Sequence, residues 1–369
     1  MDARDIRFME HALSLARKGI GLASPNPQVG CVIVRDGQII GEGFHQYEWR
    51  DHAEVIALKS AGEKARGATL YVSLEPCNHT GRTGPCSEAI IAAGIHRVVA
   101  AMEDPNPATS GRGFARLRAA NLETACGVLE DEARRLNEGF ACWIRTKKPF
   151  VTLKSALTLD GQLALPEPKK RGRSAWVTSE ESRAEVHRMR HASDALLTGM
   201  GTILADDPLL TDRSGLPRRR RLLRVILDAK LRLSPRSRIV QTADDDLLVF
   251  TAAPLSSTKA RKLQAEGVEL VRAPARRGRM DLRGVLAELG GREILSVLLE
   301  AGPTLNGAAL SAGLVHKLRL FYAPKFAGDA GVPFACMSPL ADNPLPNLRV
   351  EQFGPDIAVE AYLHDVYRA

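Results

Sequence analysis

The imidazole of His52 and the thiols of Cys77 and Cys86 are three borderline or soft ligands, the set a tetrahedral Zn2+ takes when water holds its fourth position. Three protein ligands instead of four point to catalysis. Glu54 follows His52 by two residues at an expected helix start, where its carboxylate reaches water held at such a metal. Zinc lowers the pKa of its water to about 7, and a neighbouring carboxylate carries protons from that water to a departing amine. His-Ala-Glu together with Pro76-Cys77 is the residue set of a hydrolytic deamination. The alternatives are buried apolar cysteines or a four-ligand structural zinc, and no fourth cysteine lies near these residues. Eight residues separate Cys77 from Cys86, more than the short spacing of the simple motif, and the insert carries His79 and Arg82.

These groups need elements to hold them. Ile6, Met9, Leu13 and Ala16 recur at helical spacing, so residues 5–18 form a first helix that Gly19 stops. Gln28 to Val34 is β-rich, Asp36-Gly37 signals a hairpin, Ile39-Ile40 begins the return strand, and Gly41 to His45 reads as a loop before the helix at His52. Thr69 to Leu74 is a strand delivering Cys77, Ser87 to Ala93 a helix, and residues 98–101 a strand. A helix near Phe114, a strand ending at Cys126 and one helix over 129–145 complete an α/β sheet, with the chemistry at strand ends and helix starts.

Charge and proline in Arg145-Thr146-Lys147-Lys148-Pro149 break the pattern, which sets domains of 1–146 and 147–369. The second domain alternates again: strands at Phe150 to Lys154, 195–197, 225–228, 247–251, 268–272, 295–300 and 318–323, with helices at 179–190, 256–265, 282–289 and after Pro303. Two turns between strand and helix, Gly199-Met200-Gly201-Thr202 and Glu300 to Gly307, are natural seats for a phosphate because such turns expose backbone N–H groups.

With 369 residues, 44% hydrophobic and 25% charged, the chain has the composition of a multi-domain globular protein and not of a disordered one. Six scattered cysteines and a charged start predict a reducing cytoplasm, and no apolar run approaches the roughly 20 residues of a membrane span. The net charge of +8 and the run Arg218 to Arg221 raise the question of nucleic acid. Aromatics at 5% give few stacking platforms, and a phosphorylated small substrate also favours a positive field, so the run and Pro166 to Arg173 are expected to be mobile, solvated loops.

Taken together, Asn26 to Cys31, His52-Ala53-Glu54, Pro76 to Cys86 and Asp104 to Pro107 in the first half, with Lys154 to Gly161, Trp176 to Ser179, Asp206 to Arg213 and Glu300 to Gly307 in the second, resemble the bifunctional riboflavin-biosynthesis deaminase and reductase family over the whole chain. The resemblance implies a cytidine-deaminase-like three-layer α/β/α domain followed by a dihydrofolate-reductase-like α/β domain. The implied reactions are zinc-dependent deamination of 2,5-diamino-6-(5-phosphoribosylamino)pyrimidin-4(3H)-one to 5-amino-6-(5-phosphoribosylamino)uracil, then NADPH-dependent reduction of the ribosyl to the ribityl chain. By that likeness His52, Cys77 and Cys86 hold zinc, Glu54 is catalytic, and Asn26, His45, His79 and Asn106 lie near the pyrimidine substrate. Ala156, Trp176, Thr202, Asp206, Gly302, Pro303, Thr304, Leu305, Asn306 and Gly307 surround NADPH, while Ser174, Leu210, Arg213 and Glu300 correspond to substrate positions. Other readings stay open: a core aromatic for Trp176, a turn or cap for Asp206, and loop-stabilising bonds for Asn26, His45, His79 and Asn106. The implied partner is a phosphorylated pyrimidine; a homo-oligomer is expected, and neither nucleic acid nor membrane.

Three positions depart from the family pattern: Ala301 for a second glycine, Thr109 for valine and Gly84 for proline. An alanine in a turn needing left-handed backbone would weaken cofactor binding, but the turn is expected to tolerate it. The competing readings are a deaminase whose second domain is a non-catalytic module, motivated by Ala301, and a zinc-containing RNA-binding or editing protein, motivated by the arginine run.

Overall fold

A computed structural model describes residues 2–81, 83–164, 176–276, 279–337, 345 and 348–368. Ser174, Arg82 and the expected loop from Pro166 to Arg173 lie outside the described residues. The chain forms two compact units, Met1–Lys147 with Pro217–Arg220, and Lys148–Leu216 with Arg221–Ala369.

In the first unit α1 (Ala3–Arg17) precedes the hairpin β1 (Gly30–Arg35) and β2 (Gln38–Phe44), then α2 (Ala53–Ala61), β3 (Thr69–Val72), α3 (Cys86–Ala92), β4 (Arg97–Ala100), α4 (Arg112–Ala119), β5 (Glu123–Cys126), α5 (Glu130–Leu136) and α6 (Glu138–Thr146). The strands make one five-stranded sheet in the order β2-β1-β3-β4-β5, antiparallel at β1 and parallel from β3 onward. Asp36 and Gly37 both adopt positive φ, 52° and 75°, as a tight hairpin turn requires. Val32, Ile33, Leu70, Val72, Val98 and Val99 are buried and tie the sheet to its helices.

Gly41 to Phe44 is strand, not the expected loop. A Cβ at Gly43 would stand 2.3 Å from the Ala53 carbonyl and one at Gly41 2.4 Å from that of Ala57, so these glycines let β2 lie against α2. The expected helix over 129–145 is two helices, broken at Asn137, whose side chain accepts the Gln28 N–H at 2.8 Å and donates to the Gln28 carbonyl at 3.1 Å. The arginine run also differs from expectation. Arg219 stacks 3.7 Å from the Tyr47 ring centroid, pairs with Glu48 at 2.7 Å and donates to the Ser24 carbonyl at 3.1 Å. A planar guanidinium with an aromatic face and a carboxylate within reach packs instead of solvating.

The second unit runs β6 (Phe150–Thr158), β7 (Gln162–Ala164), α7 (Glu180–Ala192), β8 (Ala195–Gly199), α8 (Met200–Asp206), β9 (Leu223–Leu227), α9 (Arg238–Gln241), β10 (Leu247–Thr251), α10 (Thr258–Ala265) and β11 (Glu269–Arg272). It continues with β12 (Ala275–Arg276), β13 (Arg279–Met280), α11 (Leu282–Gly291), β14 (Ser296–Leu299), α12 (Pro303–Ser311), β15 (Lys317–Ala323), β16 (Val332–Pro333), β17 (Arg349–Phe353) and β18 (Asp356–Tyr362). Nine strands pair in the order β11-β10-β9-β8-β14-β6-β15-β18-β17, parallel up to β15, with the last hairpin antiparallel. Among the described residues, buried Val and Leu pack under the helices in two large clusters, with a smaller one at Val186, Phe321 and Ala358. The turn at Gly199 leads straight into α8, and the β17–β18 hairpin has no counterpart in the expected elements.

Candidate active sites

His52 is the N-cap of α2 in extended backbone, Cys77 follows the end of β3, and Cys86 opens α3 behind Pro85. Their ligand atoms lie within 4.8 Å of one another. His52 Nδ1 is 3.2 Å from the Cys86 sulfur and 3.5 Å from that of Cys77, and the Cys86 N–H donates to the Cys77 sulfur at 3.4 Å. One imidazole nitrogen and two sulfurs converging on one point fit a zinc ion. The hydrogen bond from Cys86, and then those from His52 and the backbone, outweigh burial and hold the Cys77 thiol well below the ordinary thiol range.

Glu54 sits in the first turn of α2, 3% exposed, and burial pushes its carboxyl up to about 7. His45 lies edge-on to His52, ring centroids 5.3 Å apart. Its Nδ1 meets the Asp51 carbonyl at 3.1 Å, and a carbonyl only accepts, so Nδ1 carries the proton and Nε2 takes the Asn26 amide N–H at 3.0 Å. Asn26 is thereby held amide-nitrogen first against His45, next to the ligand cradle. Asn106 is engaged within its own loop: its backbone N–H goes to Asp104 at 2.9 Å and its side-chain oxygen accepts from Ala108 at 3.1 Å. His79 is exposed on the insert. Thr109 donates to Asp104 at 2.6 Å, a bond that valine lacks.

In the second unit a cavity of about 1550 Å3 is lined by Ala156, Trp176, Thr202, Asp206, Leu210 and Arg213, and by Glu300 with the turn Gly302 to Leu305. Trp176 is 60% exposed and therefore no core aromatic. Asn306 and Gly307 are instead engaged by residues 334–336: the Asn306 amide donates to Phe334 at 2.9 Å, and a Cβ at Gly307 would be 2.2 Å from the Cys336 carbonyl. Gly302 caps α12 with φ −84°, and Ala301 is not left-handed, so its methyl costs the turn nothing.

The sequence reading placed Glu300 at the substrate but missed the cations that hold it, Lys154 and Arg190. Glu300 is held by Arg190 through two bonds of 2.7 and 3.0 Å, with the Lys154 ammonium at 3.5 Å. Burial alone would raise the Glu300 carboxyl, but Arg190 and Lys154 bring it to about 2, while burial lowers Lys154. Arg183, Val186, His187 and Arg190 line the cavity at helical spacing along α7, a signal that was available in the sequence. Leu210 is left-handed at φ 54°, and the carbonyls on either side, Leu209 and Thr211, are taken by Arg224 and Arg190 at 3.1 Å each. Ser155 Oγ, His187 Nδ1 and Asp228 Oδ1 are buried polar atoms without a hydrogen-bond partner, and all three residues line this cavity, which fits a site that a polar ligand completes.

Residues 149–359 match the family model described as the RibD C-terminal domain, and residues 2–102 that of the cytidine and deoxycytidylate deaminase zinc-binding region. The riboflavin biosynthesis protein RibD of Escherichia coli (strain K12) is 42% identical over 372 residues, covering 96% of this chain and 98% of the relative. Among solved structures, Acinetobacter baumannii RibD superposes with a TM-score of 0.84 at 37% identity, covering 97% and 98% of the two chains. A Thermotoga maritima protein described as a diaminohydroxyphosphoribosylaminopyrimidine deaminase and 5-amino-6-(5-phosphoribosylamino)uracil reductase does so at 0.82 and 38%, with the same coverage.

Proposed function

The chain belongs to the RibD family of bifunctional riboflavin-biosynthesis enzymes, a pyrimidine deaminase joined to a reductase, and from that premise we propose that it deaminates a diaminopyrimidinone carrying a phosphoribosylamino group and then reduces the ribosyl chain to ribityl with NADPH. The observation that carries the first step is the convergence of His52, Cys77 and Cys86 beside the buried Glu54. His52, Cys77 and Cys86 would hold the zinc ion, which when bound would supply Lewis acidity toward water. Glu54 takes a proton from the water that adds to the amino-bearing carbon and returns it to the amine, so that ammonia leaves and a carbonyl remains. Asn26, oriented by His45, reads the pyrimidine edge, and His79 and Asn106 border the same substrate.

In the second unit Gly302 and Thr304, on either side of Pro303 at the start of the nine-residue helix α12, offer backbone N–H groups to a cofactor phosphate. Ala156, Trp176, Thr202, Asp206 and Leu305 flank the cofactor. NADPH supplies the hydride when bound. Arg213 and the α7 cations hold the sugar phosphate, with Leu210 against the substrate, and the Lys154–Glu300 pair provides the proton that the opened sugar oxygen needs.

Supplying the diaminopyrimidinone to zinc-loaded protein and following ammonia and NADPH together tests the proposal. Ammonia followed by NADPH oxidation is expected, with Glu54→Gln abolishing both. Ammonia without NADPH loss would sink the reductase half, and neither signal would sink the substrate assignment.

A further inference from the structure

Glu75 is 4% exposed, and its carboxylate accepts four backbone N–H groups. Its Oε1 accepts the N–H groups of Gly113 at 2.9 Å and Phe114 at 3.3 Å, and its Oε2 those of Gly111 at 2.9 Å and Asp104 at 3.1 Å. The main chain repeats the attachment, since the Glu75 N–H donates to the Met102 carbonyl at 2.9 Å. Beside it, a Cβ on Gly113 would lie 2.0 Å from the Pro76 carbonyl, so Pro76 and the start of α4 are in backbone contact. On one side of this joint the next residue but one is Cys77; on the other, Asp104 accepts the Asn106 N–H at 2.9 Å and the Thr109 hydroxyl at 2.6 Å.

We propose that Glu75 is a positioning residue of the deaminase site: its carboxylate fixes the strand end that carries the ligand Cys77 and the loop that carries Asn106 in one frame, keeping the metal cradle and the pyrimidine in register. The substrate half rests on the proposed deaminase reading. An ionised carboxylate only accepts, which four converging N–H groups demand; a glutamine turns its NH2 group toward two of them and leaves those donors unpaired in a buried place.

The test uses the full-length zinc-loaded protein. Glu75→Gln is expected to release zinc to a chromogenic chelator about tenfold or more faster, within the range that groups supporting metal ligands contribute, and to raise the deaminase KM. Reduction of pre-deaminated substrate by the same chain stays unchanged and reports that the second unit is folded, while the first unit's own melting transition, still present in the variant, reports the fold of the unit that carries Glu75. Glu75→Asp, still an acceptor but one methylene shorter, falls between. The control for a merely structural role is Asp5→Asn, since Asp5 is a 7% exposed carboxylate paired with Arg97 at 2.8 Å in the same unit. It is expected to lower thermal stability without hastening zinc release. Wild-type zinc release and KM in Glu75→Gln, or equal hastening in Asp5→Asn, overturns the proposal. Should Glu75→Gln not fold, zinc release from Glu75→Asp decides: faster upholds it and unchanged overturns it. Failure of the deaminase reading itself looks different, as wild-type protein that yields no ammonia.

Discussion

Glu54 is buried against the cradle of His52, Cys77 and Cys86, and a carboxyl raised to about 7 by that burial exchanges a proton with little cost near neutral pH. Glu54→Gln keeps the shape and removes the exchange, so ammonia release is expected to fall by roughly 10²–10⁴-fold with zinc content unchanged, measured by metal analysis beside the assay. The second unit poses the opposite case. Arg190 and Lys154 hold Glu300 at about 2, so it stays ionised throughout the working range, whereas burial lowers Lys154. A lysine of lowered pKa loses its proton as pH rises, below the ordinary lysine range. Reductase kcat is therefore expected to decline on the alkaline side earlier than a surface lysine would allow. Lys154→Met should lose most of the rate and with it that limb of the pH profile; a limb that persists in the variant would assign it elsewhere. The His-x-Glu pair was legible because its members are neighbours in the chain. Glu300 meets Lys154 and Arg190 across 146 and 110 residues, and no local pattern announces such a meeting.

Strands β6 and β15 begin side by side, and their first residues are fastened by His316, which stacks on Phe150 at 4.9 Å and accepts the Val151 N–H on Nδ1 at 3.0 Å. Burial, with the nearby His364, lowers His316 to about 4. Between the unfolded value near 6.5 and about 4 the unfolded chain binds the proton and the folded one does not, so stability falls as pH drops through that window. The slope from one such proton approaches about 1.4 kcal/mol per pH unit. Urea midpoints of the second unit measured across this range should show it, and His316→Gln should flatten it; an equal slope in the variant would put the titration on another group. Parallel strands such as β8 and β10 were legible as apolar runs because both faces are covered. The β17–β18 hairpin was not: β17 is exposed at four of its five positions, so burial imposes no pattern on Arg349 to Phe353, and only Gly354-Pro355 marks the turn. Gly41 and Gly43 misled for a related reason, since a glycine read as a loop former served as the near face of a helix contact.

At the scale of the whole molecule the two chemistries are drawn from separate stretches of chain. The candidate metal ligands fall between residues 52 and 86 in the first unit, and the lining of the large cavity between 154 and 332 in the second. Among the described residues each unit buries its own apolar core. A metal bound only by the folded form of one unit adds its binding free energy to that unit's stability. Removing zinc with a chelator is therefore expected to end ammonia release and to lower the melting transition of the first unit. NADPH oxidation with pre-deaminated substrate, and the transition of the second unit, should stay where they were, and added zinc should restore the first. The readout is calorimetry of the full chain with both half-reactions assayed on the same sample. Loss of the reductase together with zinc would mean that the second unit depends on the metal, and the division of labour argued from these two sites would have to be given up.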